Sequence, residues 1–288
     1  MKLRMISFGV LVGALVGLVA THTTAQQRGR GAAAPPRQII DDLVLANRIL
    51  VTEGILDGLG HISVRSDTNP ERFYLARDLA PGIVTAADLV EYDLDGTSME
   101  TPVRQGYQER FIHALIFKAR PDVMSVVHAH TPSILPFTDS SIQLRPMYHM
   151  AAFLLPGVPM WDIRRVNGAY GMLVNSIETG SSLATTLGDK AVALLRGHGA
   201  VIVGPNIPEA VSRSIFLDVN ARAQSGAIAL GGTVHYLTEE DVAGPPAPAA
   251  GRGRGAATPP PAAAPPATPV VKTYPRSWPY WKERAMGK

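Results

Sequence analysis

The chain has 288 residues, of which 46% are hydrophobic and 18% are charged, as in an ordinary globular protein with one sizeable core. Its 27 Lys and Arg exceed its 24 Asp and Glu by only three, so no nucleic-acid partner is expected. The absence of cysteine excludes disulfides, thiolate catalysis and cysteine metal sites. Histidines and carboxylates are therefore the strong metal ligands that this chain can offer.

Residues 1–25 have the three parts of a secretory signal peptide. Lys2 and Arg4 precede an apolar run over residues 6–20, and small polar residues follow it. This pattern predicts a secreted, periplasmic protein. The apolar run is shorter than the roughly 20 residues that a bilayer core requires, so no stable membrane anchor is expected. Residues 26–36, rich in Gly, Ala and Pro, are interpreted as a flexible linker.

Residues 37–243 are predicted to form one domain. Apolar residues recur at helical spacing in four segments, and short apolar runs separated by turn signals such as Asp95-Gly96 indicate strands. The βαβ rhythm of a parallel fold is missing, which favours an α/β domain with a largely antiparallel sheet. The predicted helices are 38–53, 108–119, 177–187 and 208–230; the predicted strands lie between 62 and 95 and at 123–129, 191–195 and 200–203.

The C-terminal part of the chain divides into two segments. Residues 244–270 consist almost entirely of Ala, Pro, Gly and Arg and are predicted to be a disordered linker, because they cannot bury enough apolar surface. Residues 271–288 contain Trp278, Tyr280 and Trp281, which are too aromatic for a disordered tail. We expect this segment to dock on the domain or on a neighbouring subunit.

Three histidines form a candidate metal site. His128 and His130 lie two apart at the end of a predicted strand, so their imidazoles project from the same face. This spacing alone is more typical of a polar strand edge. His198 lies between two glycines, where the backbone can bend tightly, although a turn histidine bonded to a loop carbonyl is the alternative. Together the three match an open site in which water or substrate completes the coordination of a divalent ion.

Glu109 is the candidate catalytic residue. It lies near the start of the predicted helix that leads into the His128 strand, so its carboxylate can reach the same space. It would serve as a fourth metal ligand, as a proton carrier, or as both in turn. The alternative is an acidic residue that complements the helix dipole. His113, one turn later, is predicted to orient Glu109 rather than to bind metal.

These residues stand in motifs that resemble the class II aldolase/adducin family over residues 38–237 and again in the last dozen residues. The motifs are Gly60 to Arg65, Glu109 nineteen residues before His128, Arg120 to Pro132, and Arg196 to Gly199. The resemblance implies a three-layer α/β/α sandwich with a central, largely antiparallel sheet. It also implies a divalent ion, zinc or else manganese, iron or cobalt, on the matching histidines, with the glutamate handling the proton. A homotetramer with sites between subunits is expected from the same resemblance.

Departures from the sugar-phosphate members of this family narrow the range of substrates that we expect. Where those members place Asn, a Ser-Gly pair and two serines around the phosphate, this chain has His61, residues 77–80 and Tyr107-Gln108. The pattern resembles instead the branch that decarboxylates hydroxy-substituted aromatic or pyridine dicarboxylates. Arg77, Arg145 and His149 are candidates to bind a second substrate carboxylate. The full set of candidate substrate-binding residues is His61, Ser63, Arg77, Arg145, His149 and Tyr280, the last reaching a neighbouring subunit's site.

Three functions therefore stay open at this point. The first is a metal-dependent carbon–carbon lyase that decarboxylates a small hydroxy-substituted aromatic carboxylate. The second is an aldolase that cleaves a non-phosphorylated hydroxycarbonyl compound, since both reactions leave electrons on carbon that a chelated metal stabilises. The third is a non-catalytic scaffold resembling the adducin head. The presence of Glu109 with all three histidines argues against the scaffold, which has no physical need for the set.

Overall fold

A computed structural model describes residues 38–155, 157–166, 171–243 and 274–287. The predicted signal peptide (1–25), the first linker (26–36) and the Ala/Pro-rich linker (244–270) lie outside the described residues. Within the described part of the chain, no helix combines the length and the apolar character needed to cross a membrane.

Helices and strands follow the predicted order, with a few short additions. The helices are α1 Gln38–Thr52, α2 Arg110–Ala119, α3 Leu135–Thr138, α4 Ile177–Leu187, α5 Ile207–Leu230, α6 Glu239–Val242 and α7 Tyr274–Ala285. The strands are β1 His61–Arg65, β2 Arg72–Ala76, β3 Leu89–Asp93, β4 Ser125–Ala129, β5 Met160–Trp161, β6 Val192–Leu195 and β7 Gly199–Gly204. Short 3-10 helices cover Pro81–Ile83, Ala86–Asp88, His149–Leu154 and Ile163–Arg165.

The seven strands form one sheet in the order β3-β2-β1-β4-β7-β6-β5. Every pairing is antiparallel except that of β5 with β6, which confirms the predicted largely antiparallel sheet. Strand β4 lies at the centre, and all five of its residues are buried. The strand that carries His128 is therefore held between β1 and β7, with neither of its edges free.

Two helix pairs complete the predicted three-layer α/β/α sandwich. Helices α1 and α5 pack on each other and on strands β1, β4 and β7, and α2 and α4 pack on each other and on β4 and β6. Because side chains alternate along a strand, neighbouring residues of β4 contribute to opposite layers. Val126 and His128 share one face of the sheet, and Val127 lies on the other.

Capping residues set the helix boundaries where they differ from the prediction. Helix α5 begins one residue before the predicted Pro208, because the Asn206 side chain accepts a hydrogen bond from the Glu209 N–H. Helix α2 begins at Arg110 rather than at residue 108, since Glu109 occupies the N-cap position. The Glu109 carboxylate makes no capping hydrogen bond to the helix and so stays available to the site.

Arg65 at the end of β1 fastens helix α2 to the sheet. Its buried guanidinium donates hydrogen bonds to the carbonyl oxygens of Pro70 (2.5 Å), Phe117 (2.6 Å), Arg120 (3.0 Å) and Val123 (3.1 Å). Two of these carbonyls close the C-terminal end of α2, where backbone acceptors lack partners within the helix. The same residue therefore anchors the helix that presents Glu109 and His113.

Helix α7 packs on the domain of its own chain. Trp281 is 5% exposed and lies against Phe216 of α5, with 6.0 Å between ring centroids. Arg284 forms an ion pair with Glu53 at the end of α1, 3.1 Å apart. Tyr280, in contrast, is 59% exposed. The aromatic residues of the C-terminal segment thus divide between a buried anchor and an outward-facing tyrosine.

Candidate metal centre

Four side chains converge at the end of strand β4. His128 is the fourth residue of β4, His130 follows the strand, His198 lies in the turn between β6 and β7, and Glu109 precedes α2. The four residues each offer one ligand atom, and all four atoms lie within 4.8 Å of one another. His128 Nε2 is 3.0 Å from His130 Nε2, 3.3 Å from His198 Nε2 and 3.4 Å from the nearer oxygen, Oε2, of Glu109.

Sheet pairing and two glycines place His198 beside the other two histidines. Ala129 pairs with Ala200, so the β6–β7 turn lies next to the end of β4. Gly197 has a φ of +61°, and a Cβ atom at Gly199 would lie 2.3 Å from the Ala129 carbonyl oxygen. A larger residue at either place would disturb the turn. The glycines on both sides of His198 are therefore required by the backbone geometry.

The outer ring nitrogens of two histidines have partners that turn Nε2 toward the centre. His128 Nδ1 donates to the Ala200 carbonyl oxygen over 3.1 Å, and His130 Nδ1 lies 3.3 Å from both carboxylate oxygens of Asp57. A donor role for Nδ1 leaves Nε2 without a proton, as metal binding requires. Sequence reasoning missed Asp57, although an acid followed by a Gly-rich turn was a usable signal.

Glu109 is held by its backbone surroundings and faces the histidines. Its Oε1 accepts a hydrogen bond from the Val174 N–H (3.0 Å), while Oε2 lies 3.7 Å from His198 Nε2. Burial alone would raise the pKa of Glu109, but the nearby imidazoles of His128 and His198 outweigh it and hold the pKa well below its usual range. The carboxylate is therefore ionised and offers negative charge to the centre.

His130 and His198 are neutral at neutral pH, as ligands of a cation must be. Burial, helped by His128, lowers the pKa of His198 to about 4, and the same two causes lower the pKa of His130. Neutral imidazole nitrogens and a carboxylate form a donor set suited to zinc and similar divalent ions. The residues present can thus hold a divalent cation.

A pocket of about 410 Å³ opens onto this centre. Its apolar lining comes from Leu59, Met172, Leu173 and the ring of Tyr107. The Tyr107 hydroxyl donates to the Leu79 carbonyl oxygen, and burial raises the pKa of this hydroxyl to about 12. Tyr107 therefore stays protonated and contributes its ring to the apolar wall of the pocket. The remaining lining residues are Asp57, His61, Asp78, Gln108, Glu109, His130, Gly197 and His198, so the described residues contribute no Lys or Arg.

The predicted substrate-binding residues separate into two groups. His61 lines the pocket, and Ser63 lies beneath it. The other four lie elsewhere in the chain: Arg77 pairs with Asp88 (2.8 Å), Arg145 stacks over the Tyr236 ring (4.1 Å), His149 packs beside Tyr148, and Tyr280 lies on α7. The structure does not bring those four into the pocket of the same chain, so their role in binding stays a prediction.

The predicted role of His113 as the partner of Glu109 is wrong. Both of its ring nitrogens are occupied elsewhere, Nδ1 by Ser63 and Nε2 by His61. Helix α2 turns His113 toward strand β1, and the Val174 N–H orients Glu109 instead. Spacing along α2 did not reveal this, because the neighbouring strand supplies the partners.

An α/β/α sandwich that gathers three histidines and a glutamate beside a pocket has the construction of a metal-centred enzyme. The Class II Aldolase and Adducin N-terminal domain matches residues 41–225. The chain belongs to the class II aldolase and adducin family. It is accordingly a carbon–carbon lyase of the decarboxylase and aldolase type.

Individual relatives agree with this assignment. The chain is 34% identical to decarboxylase tropJ from Talaromyces stipitatus, covering 74% of this chain and 87% of that protein. It is 31% identical to the 3,4-dihydroxyphthalate decarboxylase of Arthrobacter keyseri, over 70% and 83% of the two chains. Its structure resembles L-fuculose 1-phosphate aldolase from Glaciozyma antarctica, with a TM-score of 0.57, 26% identity and coverage of 70% and 77%.

Proposed function

We propose that this chain decarboxylates a small aromatic carboxylate that carries a neighbouring hydroxyl group, with a divalent metal ion as cofactor. The observation that carries the proposal is the group of Glu109, His128, His130 and His198 at the edge of a partly apolar pocket. Such an ion, zinc or else manganese, iron or cobalt, would stabilise negative charge on the substrate oxygens as the bond to carbon dioxide breaks. The Arthrobacter relative, a 3,4-dihydroxyphthalate decarboxylase, supports this class of substrate.

Residues of this chain would bind the ion, transfer the proton and pack against the substrate. His128, His130 and His198 would hold the ion, and Glu109 would contribute Oε2 while the Val174 N–H fixes its Oε1. Because that carboxylate is ionised, Oε2 could in turn leave the ion and take the proton of the substrate hydroxyl, which it would return to the ring carbon that has lost carbon dioxide. Leu59, Met172, Leu173 and Tyr107 would pack against the aromatic ring and exclude water.

Carbon dioxide release tests the proposal directly. The metal-loaded protein is incubated with 3,4-dihydroxyphthalate and with a panel of ortho-hydroxy benzoates, and released carbon dioxide is measured with and without a chelator. Release that the chelator abolishes is the expected result. Glu109→Gln should reduce kcat at least 100-fold, because a positioned proton carrier is worth 10²–10⁴ in rate. Glu178→Gln, at an exposed glutamate of α4, is the matched control and should leave kcat unchanged.

Aldol cleavage is the second candidate, favoured by the structural likeness to the Glaciozyma aldolase. A free aldehyde product formed without carbon dioxide would support it and contradict decarboxylation. The assignment as a lyase argues against an adducin-like scaffold, although the chain is 26% identical to human beta-adducin over 62% of this chain and 24% of that protein. Metal analysis of the purified protein checks this, because a scaffold would contain almost no divalent metal.

Assembly and location belong to the proposal as well. We propose a homotetramer in which a neighbouring subunit supplies the cationic side chain that the described pocket residues do not. Sedimentation analysis of the full chain tests it, and a monomer that turns over substrate would contradict it.

We also propose that residues 1–25 are removed on export to the periplasm, with 37–243 as the catalytic domain. N-terminal sequencing of the mature protein checks the cleavage.

A further inference from the structure

Three buried polar side chains beneath the pocket form one line of hydrogen bonds. Ser63 Oγ lies 2.6 Å from His113 Nδ1, and His113 Nε2 lies 2.7 Å from Nδ1 of His61. Ser63 and His113 are completely buried, and His61 is 2% exposed. Of the three, only His61 lines the pocket. Since its Nδ1 is occupied by His113, its Nε2 is the ring nitrogen left for a bound molecule.

The protons along this line must all point in one direction. Each imidazole carries a single ring proton, because both rings are enclosed, where a charge is costly, and the 2.7 Å contact between them needs one donor and one acceptor. In the first arrangement the Ser63 hydroxyl donates to His113, His113 donates to His61, and His61 keeps its proton on Nε2. In the second arrangement every donor and acceptor is exchanged, and His61 Nε2 carries no proton.

Two observations select the first arrangement. His113 is the only hydrogen-bond partner of Ser63 Oγ within the described chain. If Ser63 accepted a hydrogen bond from His113, its own hydroxyl proton would be buried without an acceptor, which is costly. In addition, the pocket that His61 faces contains the carboxylates of Asp57 and Asp78, which are not among the proposed metal ligands. An N–H group is more stable than a nitrogen lone pair beside negative charge.

We infer that Ser63 and His113 are positioning residues that hold His61 as its Nε2–H tautomer, so that His61 donates a hydrogen bond to an anionic oxygen of the substrate. The inference rests on the proposed function and specifies how the pocket recognises its ligand. The His61 ring lies 5.2 Å from the His128 ring and 4.6 Å from the Tyr107 ring, beside the metal centre and against the apolar wall. A preorganised neutral donor there stabilises charge that grows on a substrate oxygen.

Nitrogen-15 NMR of the full chain labelled at histidine reads the tautomer without any turnover. We expect a protonated Nε2 and an unprotonated Nδ1 for His61, in metal-free and zinc-loaded protein alike, with His61→Gln identifying the signals. In Ser63→Ala the His61 Nε2 resonance should move toward the unprotonated value. Ser125→Ala is the control: this serine is equally buried on the adjacent strand and donates to the Ser63 carbonyl oxygen (2.8 Å). The control should match the wild type.

Ligand binding provides the second measurement, with 3,4-dihydroxybenzoate as the probe on zinc-loaded protein. Loss of the donor in His61→Leu should weaken binding about tenfold, while His61→Gln, whose amide can donate, should recover most of the affinity. A His61 proton on Nδ1 in the wild type, an unchanged tautomer in Ser63→Ala, or equal affinity of His61→Leu would each overturn the inference. Failure of carbon dioxide release alone would count against the proposed function and not against the tautomer.

Discussion

Asp57 shows how a residue outside the ligand set can control the centre. Its Oδ1 accepts hydrogen bonds from the N–H groups of Leu59 and Gly60, both 2.8 Å long, while its carboxylate also faces His130 Nδ1. Burial acts to raise the pKa of Asp57, but these backbone donors and His130 outweigh it and lower the pKa. The carboxylate is therefore ionised, and it holds the His130 ring with Nε2 toward the other ligands.

Asp57→Asn should weaken zinc binding about 10- to 100-fold, the usual effect of losing a partner behind a ligating histidine. Asparagine retains the oxygen that caps the turn, so the change removes mainly the charge beside His130. Chelator competition on metal-depleted protein measures the affinity. Asp78→Asn, at the other exposed aspartate of the pocket, is the control and should bind zinc like the wild type. Equal affinities in the two variants would contradict the role of Asp57.

His198→Ala should remove most of the bound metal and the thermal stabilisation that metal supplies. A ligand that binds only the folded state raises its stability by mass action, so the shift in Tm on adding zinc reports the site. We expect a clear zinc-dependent rise in Tm for the wild type and almost none for the variant. His235→Ala, at an exposed histidine, should behave like the wild type. Unchanged zinc content in His198→Ala would count against the ligand set.

At the scale of elements, Arg65 is the connection between helix α2 and the sheet. Arg65→Met retains the length of the side chain but leaves the carbonyls of Phe117, Arg120 and Val123 without their donor. Each buried unsatisfied group costs about 1–3 kcal/mol, so the free energy of unfolding should fall by about 3 kcal/mol or more. Urea denaturation measures it. Arg72→Met, which removes the part-exposed ion pair with Glu91, should cost less than about 1 kcal/mol.

Elements with a strong local signal were predictable from the sequence, and those defined by distant contacts were not. Helices α1 and α4 were found within one residue because their apolar residues recur at helical spacing. Strand β5 has only two residues, too few for any alternation to be visible. Helix α7 contains Pro279, which argues against a helix, and its packing on α1 and α5 overrides that signal.

The metal ligands of the candidate site could be predicted from the sequence, but the contacts of its arginines could not. The histidines and Glu109 were identifiable because ligand chemistry restricts residue types and spacing. The partners of arginines were not, since a long cationic side chain carries no sign of what it will pair with. Arg77 and Arg145 looked alike as carboxylate binders, yet one is paired with Asp88 and the other lies over Tyr236. Only the folded arrangement distinguishes them.

For the whole molecule, the centre connects segments that are far apart in the chain. Glu109 precedes α2, His128 lies in β4 and His130 directly after it, and His198 lies in the β6–β7 turn, so one ion would cross-link three segments of the same domain. Without the ion, several buried histidines must stay neutral for the domain to fold. Stability in the metal-free state should therefore depend on pH through these histidines.

The lowered pKa values of these histidines determine whether acid raises or lowers the stability of the metal-free protein. Burial lowers the pKa of His61, His113 and His198, the last to about 4, whereas an unfolded histidine titrates near 6.5. Between these values only the unfolded chain gains protons, so acid favours unfolding. Stability present above pH 6.5 should fall by about 1.4 kcal/mol per pH unit for each such histidine, levelling near pH 4 for His198.

Urea denaturation in chelator at pH 7, 6 and 5 measures this slope in a range where exposed carboxylates stay ionised in both states. His198→Gln should reduce the slope by one histidine's share, because its proton no longer distinguishes the folded from the unfolded chain. His235→Gln is the control at an exposed histidine, which folding does not enclose, and should leave the slope unchanged. Equal stability of the metal-free protein at pH 7 and pH 5 would contradict this prediction. It would show that the buried histidines accept protons without unfolding and are therefore not enclosed by the fold.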